Sequence, residues 1–194
     1  MYSYFEGELK EKTPTYAVID CNGVGYLLNI SLNTFSEIKD KSRCKLYAHL
    51  VVREDAMLLF GFSTEQELDM FRKLISVSGV GPNTARMVLS SLNPDELSKA
   101  IISSNAAILQ SIKGIGGKTA QRILVDLRDK IGKTDISKDF TPGFSSNNRQ
   151  EAITALVMLG FAKNNAEKAI DKVSRNNGEN KTVEDLIKLA LQAL

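Results

Sequence analysis

Two short strings 35 residues apart carry the strongest chemical pattern in the chain: Gly79-Val80-Gly81-Pro82-Asn83-Thr84-Ala85 and Gly114-Ile115-Gly116-Gly117-Lys118-Thr119-Ala120. Each reads Gly-aliphatic-Gly and then Thr-Ala, with an apolar helix end before it and an amphipathic helix after it. Glycine lets the backbone turn tightly and leaves its N–H groups uncovered, while the aliphatic residue between the glycines can plug a two-helix core. N–H groups held this way lie at a helix N-terminus, where unsatisfied donors and the helix dipole together attract an anion. Asn83, Thr84 and Arg86 stand beside the first string, and Lys118, Thr119 and Arg122 beside the second, as sources of side-chain donors or positive charge. Two or three charge-assisted hydrogen bonds per string would bring about 1.5 to 3 kcal/mol each before desolvation and ordering. A single such string suits an ordinary glycine-capped helix turn equally well. Two in tandem favour a pair of phosphate clasps.

A second pattern has the opposite charge. Arg53-Glu54-Asp55-Ala56 falls between two apolar stretches, so it reads as the tip of a hairpin with adjacent carboxylates exposed. A like charge about 4 Å from a phosphate costs roughly 1 to 4 kcal/mol, depending on effective dielectric. The tip is either a solvated turn or a device for pushing nucleic-acid strands apart.

Other chemistry is thin. Two cysteines, Cys21 and Cys44, and the single His49 are too few for a zinc site of three or four protein ligands unless carboxylates join them. The N-terminus MYSYFEGELK lacks a basic start and an apolar core, so a cytoplasmic protein with free thiols is expected, and no cofactor. His49 lies in a strand and reads as a structural residue rather than a general base. GIGGKTAQ has Gly114 and Lys118-Thr119 but is too short for a G-x-x-x-x-G-K-[ST] phosphate loop, which argues against an ATPase. Neither LISVSGVGPN nor AITALVMLGF approaches the eighteen or so apolar residues of a membrane span.

The elements that must hold these patterns are legible in outline. The chain has 194 residues, 43% hydrophobic and 25% charged, which excludes disorder along the whole length. Alternation predicts five strands, Tyr4 to Lys10, Thr15 to Cys21, Val24 to Ile30, Cys44 to Arg53 and Met57 to Phe62, with Asn22-Gly23 as a two-residue hairpin turn. With one helix in SLNTFSEIKD, this order suits an OB-like barrel over residues 1–63, and an SH3-like barrel almost as well. From Ser63 the period becomes helical, giving four or five helices over residues 64–132. Starts are expected at Ser63 with Gln66 and at Asn93 with Glu96, where Pro94 takes the first helical position. Residues 133–147 read as a flexible linker, and residues 148–194 as a three-helix bundle starting at Asn148, Asn164 and Thr182. The fold class is therefore multidomain, β then all-α.

The net charge is only +2, so affinity for nucleic acid would rest on local chemistry. The middle region holds the basic excess, 10 basic residues against 7 acidic over residues 64–134. In the last helix, apolar positions from Val183 to Leu194 cover an arc of about 200°, against the roughly 100° that a surface helix needs, so part of that face is expected to serve a partner.

The two glycine strings resemble the helix-hairpin-helix motif, which binds nucleic-acid backbone phosphate with little regard to base sequence. Gly23-Val24-Gly25-Tyr26, Val51-Val52-Arg53-Glu54-Asp55-Ala56, Gly61-Phe62 and the two hairpins follow one another as in the RuvA family, and the resemblance covers the whole chain. It implies a non-catalytic subunit that binds four-way (Holliday) DNA junctions, holds them open and square, and recruits the hexameric RuvB ATPase for branch migration in homologous recombination, DNA repair and the SOS response. It also implies a homotetramer, either alone or doubled into an octamer on DNA, with RuvC resolvase as a further partner and no membrane. By this resemblance Gly79, Gly81, Asn83, Thr84, Arg86, Gly114, Gly116, Gly117, Lys118, Thr119 and Arg122 would line the DNA contact. Glu54 and Asp55 would form an acidic pin at the crossover. The last three helices resemble a RuvB-binding, UBA-like bundle, with Leu159, Phe161, Leu186 and Leu189 facing the partner. The family often has Lys where Asn83 stands, so the first hairpin is expected to contribute less here. The alternatives are a generic helix-hairpin-helix module for duplex DNA and a metal-dependent nuclease using Glu54 and Asp55. Two-metal chemistry would need further converging carboxylates.

Overall fold

A computed structural model describes residues 1–131, 146–177 and 182–193. The chain divides into two compact units, Met1–Lys138 and Asp139–Leu194.

Strands β1 (Tyr4–Lys12), β2 (Tyr16–Cys21), β3 (Val24–Ile30), β4 (Arg43–Val52) and β5 (Met57–Phe62) close a barrel in the order β1-β2-β3-β5-β4. The parallel β3–β5 pairing and helix α1 (Leu32–Ile38), between β3 and β4, make this the OB-type arrangement and settle the choice against an SH3-like barrel. Asn22 and Gly23 take φ of 55° and 90°, as the two-residue turn between β2 and β3 requires. Strand alternation drives the inner face together: Phe5, Ala17, Ile19, Leu28, Ile30, Leu46 and Ala48 form the barrel core, and Ile38 of α1 joins them.

Helices α2 (Glu65–Ile75), α3 (Pro82–Ser91), α4 (Pro94–Ile102), α5 (Ala106–Gln110) and α6 (Gly117–Ile131) follow in the same unit. Phe60 and Phe62 of β5 belong to the helical core with Phe71, Leu74, Leu89 and Ile123, so strand gives way to helix near residue 63 without a break in packing. Asn93 and Glu96 form the expected capping box and Pro94 opens α4. The cap of α2 lies one residue later than the sequence suggests. Thr64, not Ser63, accepts from the Glu67 N–H at 3.1 Å, while the Ser63 N–H donates to Thr34 Oγ1 at 3.0 Å, so no capping-box side chain can take it.

Glu67 itself turns away from the cap into the seam between barrel and helices. Its buried carboxylate accepts from Ser31 Oγ and from Thr34 Oγ1. Burial raises its pKa above the ordinary 4.5, opposed by these hydrogen bonds. The folded state therefore holds this proton more tightly than the unfolded chain, so stability rises as pH falls from neutrality through the raised pKa toward 4.5. Glu67→Gln is expected to flatten that pH dependence while keeping an acceptor in place. Glu67→Ala leaves both hydroxyls without their acceptor and is expected to cost about 2 to 4 kcal/mol, read from urea midpoints at pH 7 and pH 5.

The second unit holds α7 (Ser146–Met158), α8 (Lys163–Asn177) and α9 (Val183–Ala193) around Ala152, Ile153, Leu156, Ala166, Ile170, Leu186 and Ala190. The starts expected at Asn148 and Asn164 are corrected: both residues lie inside their helices, two and one positions past the first residue. Thr182 does cap α9, accepting from the Asp185 N–H at 3.2 Å. The linker expected at 133–147 falls almost wholly outside the described residues.

Candidate nucleic-acid interface

The two glycine strings fold alike. In the first, the Val80 N–H closes a turn onto Val77 O at 3.0 Å, with Gly79 at φ 89°. In the second, the Ile115 N–H closes onto Ile112 O at 3.1 Å, with Gly114 at φ 93°. A side chain at either positive φ would be strained, which is why glycine stands there. Val80 and Ile115 are each 5% exposed and enter the helical core, anchoring the turns from below.

The next helix then starts on a residue with no side chain. Gly81 caps α3 with no side-chain hydrogen bond, whereas Ser31, Thr64, Asn93 and Asn105 cap α1, α2, α4 and α5 with theirs. Intrahelical bonding begins with Ala85 N–H to Gly81 O and Ala120 N–H to Gly116 O, both 2.9 Å. The N–H groups of Asn83 and Thr84, and those of Gly117, Lys118 and Thr119, therefore stand at helix starts that no side chain closes. The second start has one donor more, because Pro82 has no N–H where Gly117 does. Lys118 is exposed beside it, where Asn83 stands in the first. The two helix starts therefore differ in backbone donors as well as in side chain.

Side chains around the hairpins divide differently from the sequence expectation. Lys118 and Arg122 are exposed and Thr84 and Thr119 half-buried. Arg122 Nη1 lies 3.5 Å from Ser78 O, so α6 reaches across to the turn of the first hairpin. Arg86 points elsewhere: its Nη1 donates to Thr15 O at 2.9 Å and lies 3.5 Å from Asn29 Oδ1, both in the barrel part of the chain. The 35-residue repeat pairs Arg86 with Gln121 and Arg122 with Met87, so the two arginines do not occupy equivalent positions. Lys113, exposed in the second turn, was not among the expected contacts. The repeat carried a signal for it, since Lys113 stands where Ser78 does in the first turn.

The β4–β5 hairpin places the acidic tip as expected. Val52 pairs with Met57, the Arg53 N–H donates to Ala56 O at 2.8 Å, and Glu54 and Asp55 are exposed at the turn. Among the described residues, no group of three or more His, Cys, Asp or Glu side chains is placed to hold a metal. His49 packs edge-on to Phe71 at 5.5 Å, and burial and then Arg72 lower its pKa. Cys21 and Cys44 are free thiols. No helix among the described residues is long and apolar enough to cross a membrane.

In the second unit, the apolar face expected to meet a partner on α9 lies largely against the bundle. Leu186 is 6% exposed and belongs to the bundle core, and Leu189 packs against that core. The wide apolar arc is used because α9 packs against both α7 and α8. Exposed apolar surface lies instead at the end of α7, at Met158 (84%), Leu159 (61%) and Phe161 (36%), where Gly160 turns the chain at φ 100°. Leu191 of α9 is also exposed.

Comparison with known proteins follows this architecture. Residues 1–61 match the family model for the RuvA N terminal domain, residues 71–129 that for a SAM-like helix-hairpin-helix tandem, and residues 147–194 that for the RuvA C-terminal domain. The chain is 48% identical over 194 residues to a protein of Christiangramia forsetii named Holliday junction branch migration complex subunit RuvA, with both chains covered completely. Proteins of the same name from Bacteroides fragilis and Bacteroides thetaiotaomicron are 48% and 49% identical over 202 residues, again with full coverage of both chains.

Proposed function

The chain belongs to the RuvA family, and from that membership we propose that it binds four-way DNA junctions irrespective of base sequence, holds them open, and recruits the RuvB motor for branch migration in homologous recombination and repair. One observation carries the reading: a single compact unit combines two open, glycine-started helix N-termini with an exposed carboxylate tip. The first attract phosphate and the second repels it. A continuous duplex gains only from the attraction. A four-way junction lets the arms lie on the clasps while the tip faces the crossover, where strands part.

In this reading Gly79, Gly81, Asn83 and Thr84 of the first hairpin, and Gly114, Gly116, Gly117, Lys118 and Thr119 of the second, meet the phosphates of one arm. Arg122 contributes charge beside them while bracing the first turn. Contacts of this kind fix position without reading bases. Glu54 and Asp55 lie at the crossover and favour strand separation. Four copies around a fourfold axis supply one pair of clasps per arm, as a tetramer or as two tetramers enclosing the DNA. The chain acts without catalysis of its own, and RuvB supplies ATP hydrolysis through the second unit, where Leu159 and Phe161 offer an exposed apolar contact. RuvC is a further partner and the cytoplasm the site of action. Affinity for four-way against linear DNA of the same arm sequence, at matched salt, tests the reading. Equal affinity would leave a generic duplex-binding module.

A further inference from the structure

Arg86 stands three residues after Asn83 in the helix that the first clasp opens, yet its guanidinium faces the barrel. Its acceptors, Thr15 O at 2.9 Å and Asn29 Oδ1 at 3.5 Å, are both neutral. Arg86 is half-buried, and partial desolvation of a cation costs free energy that hydrogen bonds to neutral acceptors offset only in part. The geometry continues beyond Arg86: Asn29 Nδ2 donates to Leu59 O at 3.1 Å. Leu59 is the third residue of β5, the strand that leaves the acidic tip, and the tip ends at Ala56. A polar relay therefore runs from α3 through Asn29 of β3 to β5, three residues past the end of the tip.

Neighbouring bonds hold the same seam. Ser90 Oγ accepts from the Leu32 N–H at 3.1 Å, and Asn33 Nδ2 donates to Leu89 O and to Leu92 O, so the far end of α3 is tied to α1. Whatever sets α3 against the barrel also sets the first clasp against the pin.

We propose that Arg86 is a positioning residue: with Asn29 it fixes the first phosphate clasp relative to the acidic pin, and so sets the preference for four-way over linear DNA without touching phosphate. The proposal rests on the junction-binding reading above. A linear duplex needs only the clasp and is indifferent to where the pin lies. A junction needs both at once.

The test compares Arg86→Met and Asn29→Leu with the parent chain. The second variant removes the relay and leaves every charge in place. Both are expected to lower the four-way to linear affinity ratio about tenfold, roughly the worth of one charge-assisted hydrogen bond. Asn29→Leu is expected to leave the slope of log affinity against log salt unchanged. In the DNA-free protein, hydrogen exchange is expected to rise together over residues 27–30, 57–61 and 82–89 in both variants. An unchanged ratio in both variants overturns the proposal, and so does unchanged exchange. Equal weakening on both DNAs by Arg86→Met alone, with a salt slope shallower by about 0.9, would make Arg86 a phosphate contact instead. If the parent chain showed no four-way preference, the junction reading would fail in that arm, while the exchange measurement would still decide whether the relay couples clasp and pin.

Discussion

Gly81→Val combined with Gly116→Val is expected to weaken binding to four-way DNA by at least about 100-fold while leaving the protein folded. Neither position has a positive φ, and a Cβ built on either meets nothing within 4 Å, so the substitutions fill only the space in front of the helix starts. That space is where phosphate oxygens must come to reach the N–H groups of Asn83, Thr84, Gly117, Lys118 and Thr119. The loss expected at each clasp is roughly 1.5 to 3 kcal/mol, and the two clasps of one unit add because both serve one arm. Valine is a poorer N-cap than glycine, so a stability loss of about 1 kcal/mol per site is anticipated, well short of unfolding. Titration of labelled junction, with thermal melting as the control, checks it. Retained affinity in a folded double variant would mean that the hairpins are glycine-capped turns and nothing more. Gly79→Val makes a useful contrast, because its φ of 89° predicts lost stability as well as lost binding.

Glu54→Gln combined with Asp55→Asn is expected to act in the opposite direction on linear DNA. Removing two like charges from the path of a phosphate backbone relieves roughly 1 kcal/mol or more per charge, so linear duplex should bind about thirtyfold tighter or more. The four-way preference should shrink correspondingly. A fluorescent base analogue at the crossover should lose the signal of unstacking that the parent chain induces. The variants are nearly isosteric and the tip is exposed, so stability should hold. Unchanged duplex affinity together with unchanged crossover fluorescence would reduce the tip to a solvated turn.

Much of this architecture can be read without coordinates because local rules decide it. Strand alternation placed all five strands to within two residues, and Asn22-Gly23 announced its turn because both residues tolerate positive φ. Asn93 was readable as a cap because Pro94 and Glu96 agree with it. Ser63 and Thr64 are adjacent hydroxyl residues, and spacing alone does not choose between them; the Ser63 N–H meets Thr34, 29 residues away, a contact that local rules do not show. Asn148 and Asn164 failed similarly, each lying in a run of residues able to start a helix. At the candidate site the glycines and the acidic tip were legible, since backbone conformation and turn chemistry are local. Arg86 was not. Its direction is set by acceptors 71 and 57 residues earlier, which spacing within the helix does not reveal. For Leu186 and Leu189 the sequence does not separate packing from partner contact, because a wide apolar arc serves two neighbouring helices as well as it serves a partner.

The measurement closest to the central claim is equilibrium binding of the purified chain to a four-way junction and to linear duplex of the same arm sequence, across a salt series. Phosphate contacts require log affinity to fall linearly with log salt on both DNAs. The expected result is that line on each, with the four-way junction bound more tightly at every salt concentration. Two superimposed lines would contradict the account, leaving attraction along the arms with no repulsion at the centre.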